Sequence, residues 1–131
     1  MINATRRRGR HAHSHARIRI MKRFKTPATR KLGLMFKKTP LDKDAGALFL
    51  YPPAEKKRPT EVWMKNTYIP LDAIVFDKQR RVLQTVKNMK PLSERSHKFR
   101  SKKAAGFIET NAGFIDKNKI RVGTKLQFYG P

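Results

Sequence analysis

The sequence predicts a mostly β (α+β) domain. Its expected form is a small barrel-like or curled mixed sheet with two short helices, preceded by an extended basic N-terminal arm. Three observations lead there. Apolar or alternating runs of strand length recur between turn residues. Only two segments carry helix-start signals. The first 41 residues hold 13 Lys+Arg and no carboxylate. A chain of 131 residues fits one domain, with an arm expected over 1–16 and a compact unit over 17–131.

The arm has few bulky apolar residues, Met1 and Ile2, among arginines, small residues and His11, His13 and His15. Such a segment buries too little surface to offset its chain entropy. Arg17–Phe24 then alternates, with Ile18 and Ile20 on one face and Arg17 and Arg19 on the other, as in a half-buried strand. Thr26-Pro27 starts a helix, a hydroxyl cap followed by a first-turn proline, expected to run to about Met35. Gly46–Tyr51 is a short apolar strand stopped by Pro52-Pro53. After a charged loop, Val62–Lys65 is the next strand expected, with Trp63 and Lys65 sharing one face.

Asp72–Asp77 encloses Ala73-Ile74-Val75-Phe76 and reads as a buried strand. Lys78-Gln79-Arg80 turns the chain into an alternating strand over Arg81–Met89. Pro91–Lys103 is polar and irregular. Gly106–Thr110 is another strand, and Asn111 is placed to cap a short helix reaching about Asn118. Gly123–Tyr129 closes the set. Many short strands with one or two helices suit a curled sheet.

Charge bounds the function. The chain carries 32 Lys+Arg against 9 Asp+Glu, a formal net charge of +23 with a pI near 11.3. Residues 42–131 alone carry +10. Such a charge favours a negative partner, and nucleic acid releases counterions when Lys and Arg dock on it. No cysteine is present, which removes disulfides, thiolate metal sites and cysteine nucleophiles. No apolar stretch reaches spanning length, and none follows Arg6-Arg7-Arg8 to make a secretory signal. The expected location is intracellular or within a virion.

Several stretches resemble a widespread family, domain of unknown function 192. Arg30-Lys31-Leu32-Gly33-Leu34-Met35-Phe36 looks like its Arg-x-x-Gly-Leu-Met element. Gly46-Ala47-Leu48-Phe49 is similar to its Gly-Met-Leu-Phe strand. Trp63-Met64-Lys65-Asn66-Thr67, followed by Ile69-Pro70-Leu71-Asp72, is the most specific match. Glu109-Thr110-Asn111-Ala112-Gly113 is the fourth, with Val122-Gly123 and Phe128 behind it. The resemblance covers about 18–128 in order and implies a compact, mostly β domain without an assigned activity. Ala47 stands where the family has methionine, and Thr124 where aspartate follows the glycine. The basic arm lies outside the resemblance.

Two functional expectations follow. The first is a non-catalytic, structural or accessory component of a nucleoprotein particle, a virion ahead of a ribosome-like one. Its cationic contacts would be Arg6, Arg7, Arg8, Arg10, Arg17, Arg19, Lys22, Arg23, Lys25, Lys56, Lys57, Arg58, Arg95, Lys98, Arg100, Lys102 and Lys103. Arginine forks bridge phosphates, and Phe99 could stack on a base or anchor its loop. Partners would be nucleic acid, read through its backbone with little sequence preference, or acidic protein surfaces. The second is a small-ligand or catalytic domain with a pocket around Trp63–Asp72, built from Trp63, Lys65, Asn66, Asp72 and Asn111. Against it stands a purely structural turn. Acid–base candidates are Asp72, Glu109 and His97, and no spacing joins them. No cofactor, metal or membrane partner is expected.

Overall fold

The computed structural model describes residues 14–55 and 59–130. Eight strands and two short helices follow in order: β1 His15–Phe24, α1 Pro27–Leu32, β2 Ala45–Leu50, β3 Glu61–Val62, β4 Leu71–Phe76, β5 Val82–Met89, β6 His97–Lys98, β7 Gly106–Asn111, α2 Phe114–Lys117 and β8 Lys125–Tyr129. Six form one mixed sheet in the order β5-β4-β7-β2-β1-β8, and β3 pairs with β6 in a separate two-stranded ribbon. β1 runs parallel to both β2 and β8, and the remaining ladders of the large sheet are antiparallel. The sheet curls, and its edges meet at one bridge between Arg81 and Lys125. Backbone bonds of Val82 with Gly123 and Thr124 and of Leu126 with Arg80 flank that bridge, but no ladder joins β5 to β8, so the sheet is not a closed barrel.

Alternation divides the core between the two faces of the sheet. Ile18, Ile20, Leu48, Ile74, Phe76, Ile108 and Leu126 lie in one cluster, covered by Phe114, Ile115 and Ile120 around α2. Ala47, Phe49, Leu71, Ala73, Val75 and Phe107 lie in the other, under Leu34, Val62, Met64 and Ile69. Each fully buried large aliphatic side chain adds about 1.5–3 kcal/mol. The large apolar or aromatic side chains left exposed among the described residues include Leu92, Val122, Trp63 and Tyr68.

The first helix begins as expected. Thr26 accepts from the Thr29 amide at 3.1 Å, and the Thr29 hydroxyl accepts from the Thr26 amide at 3.1 Å, a reciprocal capping box. It ends at Leu32 rather than near Met35. Gly33 turns the chain at φ 46°, and a Cβ there would lie 2.9 Å from the Phe49 ring, so only glycine passes. The turn after β4 also forms as expected. Asp77 Oδ1 accepts from the Gln79 and Arg81 amides, each at 2.9 Å, which lets Arg80 sit at φ 64°.

Two expected elements are corrected. The strand expected over Val62–Lys65 stops at Val62. A turn follows, closed by the Thr67 amide on the Met64 carbonyl at 3.1 Å, with Asn66 at φ 54°. Asn111 does not cap α2. It is the last residue of β7, and the N-cap position is Gly113. β1 begins at His15, inside the segment expected as arm. Residues 1–13, with Arg6, Arg7, Arg8 and Arg10, lie outside the described residues, as do Lys56, Lys57 and Arg58.

Candidate functional site

A cavity of about 380 Å³ opens on the second face of the sheet. Helix α1 and the turn after it supply Arg30, Lys31, Leu32, Gly33, Leu34 and Met35. The end of β2 supplies Phe49 and, just beyond it, Tyr51. The β3 segment and its turn supply Glu61, Val62, Trp63, Lys65 and Thr67. Strand β7 forms the floor with Phe107 and Glu109. This volume lies in the range of small-molecule sites.

Glu109 is the chemically unusual member. It follows Phe107 by two residues on β7, so both point to the same face. In register it stands between Ala47 on β2 and Ala73 on β4, neither of which carries a side-chain donor. It is 5 % exposed, and no donor among the described residues reaches its carboxyl oxygens. Burial alone pushes the carboxyl up to about 8. At neutral pH the group is therefore mostly protonated, a hydrogen-bond donor at the base of the cavity.

The mouth is polar and fixed. Arg30 donates to Glu55 at 2.5 Å and to the Lys25 carbonyl at 2.6 Å, with its guanidinium 3.8 Å from the Tyr51 ring centroid. That stacking and bonding explain why an arginine, 8 % exposed in its side chain, sits comfortably there. Glu61 is held by the Ser96 hydroxyl and by Lys98 at 3.6 Å, and the Ser96 bond, then Lys98, lowers its carboxyl below the ordinary range. Trp63 is 44 % exposed, with Lys65 Nζ 5.4 Å from its ring centroid.

Of the five residues expected to form a pocket, Trp63 and Lys65 line this cavity and the other three do not. Asn66 shapes the turn, its carbonyl accepting from Phe36 at 2.8 Å. Asp72 is fully buried beneath the opposite cluster. It accepts from the Asn88, Gly113 and Ile115 amides at 2.8, 3.1 and 2.9 Å, and it does not pair with Lys65. Asn111 clamps the loop before β2, accepting from the Leu41 amide at 2.9 Å and donating to its carbonyl at 2.6 Å. His97 is on the separate ribbon, its imidazole pKa lowered by burial and by Arg95. Glu109, expected only as one of three unconnected acid–base candidates, lines the cavity with Trp63 and Lys65. The available signal was an acid on the same face as Phe107 in an otherwise apolar strand.

The cationic candidates divide. Arg19 bonds Asp42 at 2.7 Å and Asp44 at 3.1 Å, and Lys98 pairs with Glu61. Arg17, Lys22, Arg23, Lys25, Arg95, Arg100, Lys102 and Lys103 are exposed. Phe99 packs edge-on against Phe107 with centroids 5.6 Å apart, so it anchors its loop. A shallow groove along β8 is lined by Arg17, Arg80, Lys125, Leu126, Gln127, Phe128 and Tyr129. Arg17 stacks on Tyr129 at 4.6 Å and Arg80 on Phe128 at 4.7 Å. Among the described residues, no carboxylate lines it.

An open, curled mixed sheet with a buried acid under a helix–turn rim defines the class of domain. The chain belongs to the family described as Uncharacterized ACR, domain of unknown function 192, whose model matches residues 8–128. No curated protein matches the chain. Two crystal structures are similar. One is a protein of unknown function from Novosphingobium aromaticivorans, 29% identical with TM-score 0.69, the match covering 79% of this chain and 71% of that one. The other, from Sinorhizobium meliloti 1021, is provisionally described as a transcription regulator. It is 31% identical with TM-score 0.68, covering 77% and 74%. All four stretches that carry the family resemblance contribute to the cavity: Arg30–Met35, Phe49, Trp63 with Lys65 and Thr67, and Glu109.

Proposed function

We propose that the domain binds a small ligand in the cavity floored by Glu109. The observation that carries this reading is the Glu109 carboxyl group, 5 % exposed, facing a cavity with no hydrogen-bond donor on it among the described residues. The carboxyl oxygens open onto the cavity and not onto a protein donor, so the hydrogen bond the group can make is left for a ligand. The convergence of the four family stretches on the same cavity supports it. Proton exchange with the ligand is within the chemistry of such a group, so catalysis is an extension of this reading rather than its core.

The experiment uses the single tryptophan of the chain, Trp63. A fragment library is screened by following the Trp63 indole N–H resonance. Hits should shift it in the native protein and lose at least tenfold in affinity in Glu109→Leu, which removes the polar floor. A library with no hit at that resonance, or hits indifferent to Glu109→Leu, would overturn the proposal.

A second reading has its own observation. The β8 groove presents Arg17, Arg80 and Lys125 beside two aromatic rings and, among the described residues, no acid, an arrangement suited to a phosphate backbone. It supports attachment to nucleic acid or to a nucleoprotein particle, of virion or ribosome-like kind. The two readings are compatible, since the groove and the cavity share no lining residue.

A further inference from the structure

Resting on the ligand-binding reading, we infer that the cavity takes an anionic ligand of particular build: a neutral hydrogen-bond acceptor at its inner end, a flat apolar body, and an anionic group at the mouth. Each part answers a feature of the walls. At the inner end Glu109 meets no donor, and burial keeps its proton in place at neutral pH. A protonated carboxyl donates, so it selects a carbonyl or similar acceptor. An anion at that depth would find no cation, because Ala47 and Ala73 flank Glu109 and burial is the whole cause of its shift.

The middle is apolar. Phe49 and Phe107 stack with centroids 4.4 Å apart and nearly parallel, and Leu34 and Val62 complete the walls. A planar apolar body can lie against this wall. The mouth then selects charge. Arg30 from α1 is already committed to Glu55, and Glu61 from β3 is committed to Ser96 and Lys98. Lys31 and Lys65 line the opening without an ion pair among the described residues. They are the charges free to receive the ligand. The overall charge of +23 also draws anions and repels cations before contact.

A cationic amine is the competing guest. It would need Glu109 ionised and would meet Lys31 and Lys65 on entry. The two guests therefore respond oppositely to pH. Among the described residues, the charged and titratable groups facing the cavity are Arg30 and Lys31 on α1, Tyr51 and Glu55 after β2, Glu61 on β3, Lys65 in the turn and Glu109 on β7.

The test uses four probes of one shape: 4-acetylbenzoate, 4-ethylbenzoate, 4-acetylbenzamide and 4-acetylbenzylamine. Affinity is measured by calorimetry, and location by the Trp63 indole resonance. 4-Acetylbenzoate should bind best, with about tenfold loss on removing either its ketone or its charge. Its affinity should fall as pH rises from 7 through 9. Glu109→Gln, which keeps a donor but cannot ionise, should bind it with no such fall. Lys31→Glu with Lys65→Glu should weaken it at least tenfold and favour the amine. Preference of the native protein for the amine, with affinity rising toward pH 9, would overturn the ligand class while leaving the cavity as the site. A benzoate response unchanged by Glu109→Gln and by the lysine reversals would overturn the inference as well, by placing the probe elsewhere.

Discussion

Asp72 on β4 caps the second helix from across the sheet: its Oδ2 accepts the Ile115 amide at 2.9 Å and the Gly113 amide at 3.1 Å. Helix α2 has no side-chain cap of its own, because Gly113 occupies the N-cap. The first-turn amides of any helix need acceptors, and here a buried carboxylate 41 residues away in sequence from Gly113 provides them. Its other oxygen holds the Asn88 amide at 2.8 Å. Asp72→Ala leaves three amides without their acceptor and should destabilise the fold by about 3–4 kcal/mol in urea unfolding. Asp72→Asn, with one acceptor oxygen, should recover part of that loss.

Glu109 links stability to pH with a definite sign. The folded carboxyl keeps its proton up to about 8, whereas an ordinary glutamate releases it near 4.5. Folding therefore takes up a proton between those values. The stabilising contribution is fully present below about 4.5 and is lost as pH rises through about 8. Thermal unfolding of the native protein should fall across that window relative to Glu109→Gln, which has no proton to exchange. Parallel curves for the two proteins would refute the link. Glu109→Leu should be at least as stable as the native protein above pH 8, since it removes a carboxylate whose charged form burial disfavours.

Arg30 ties three segments together: the end of β1 through the Lys25 carbonyl, the end of β2 through Leu50 and Tyr51, and the loop beyond through Glu55. Arg30→Ala should cost roughly 2–3 kcal/mol, because it strands a partly buried carboxylate. Arg30→Lys should recover only part of it, for an ammonium cannot make the same fork or stack as well. Denaturant midpoints of the three proteins, compared at equal slope, would measure both effects.

The groove along β8 predicts a salt signature. Replacing Arg17, Arg80 and Lys125 together by alanine should weaken binding to an oligothymidylate in fluorescence anisotropy. It should also flatten the plot of log affinity against log salt by about 2, since each lost phosphate contact on a single strand removes about 0.7. An unchanged slope would exclude this surface as a phosphate contact.

Local pattern made much of the fold legible. Ile18 and Ile20 alternate with arginines and lie at 0 % exposure. Thr26-Pro27 starts its helix where the hydroxyl and the ring require it. The misread positions are those where a distant partner decides. Trp63 and Lys65 look like a strand by alternation, yet the Met64–Thr67 turn bends them to the mouth of the cavity. Asn111 looks like a cap, yet Leu41, 70 residues away, claims its amide. Glu109 gave only a weak signal. Its significance depends on Ala47 and Ala73 standing beside it, and that register exists only once three strands are assembled. The cationic surface was visible as composition. Which cations are committed to carboxylates was not, because those pairs join residues 23 to 37 positions apart.

The placement of β1 sets an order of events. That strand lies between β2 and β8, parallel to both, so one of its two edges stays unsatisfied until a segment about a hundred residues further along has formed. A chain emerging from the ribosome can complete the β2–β7–β4–β5 half of the sheet while His15–Phe24 still waits for its second neighbour. Loop closure over that distance is slow relative to hairpin formation. Truncations that end before Lys125 should therefore not merely lose a strand. They should also leave β1, with Ile18 and Ile20, as the open edge of the sheet in place of β8, an edge capable of recruiting a second molecule.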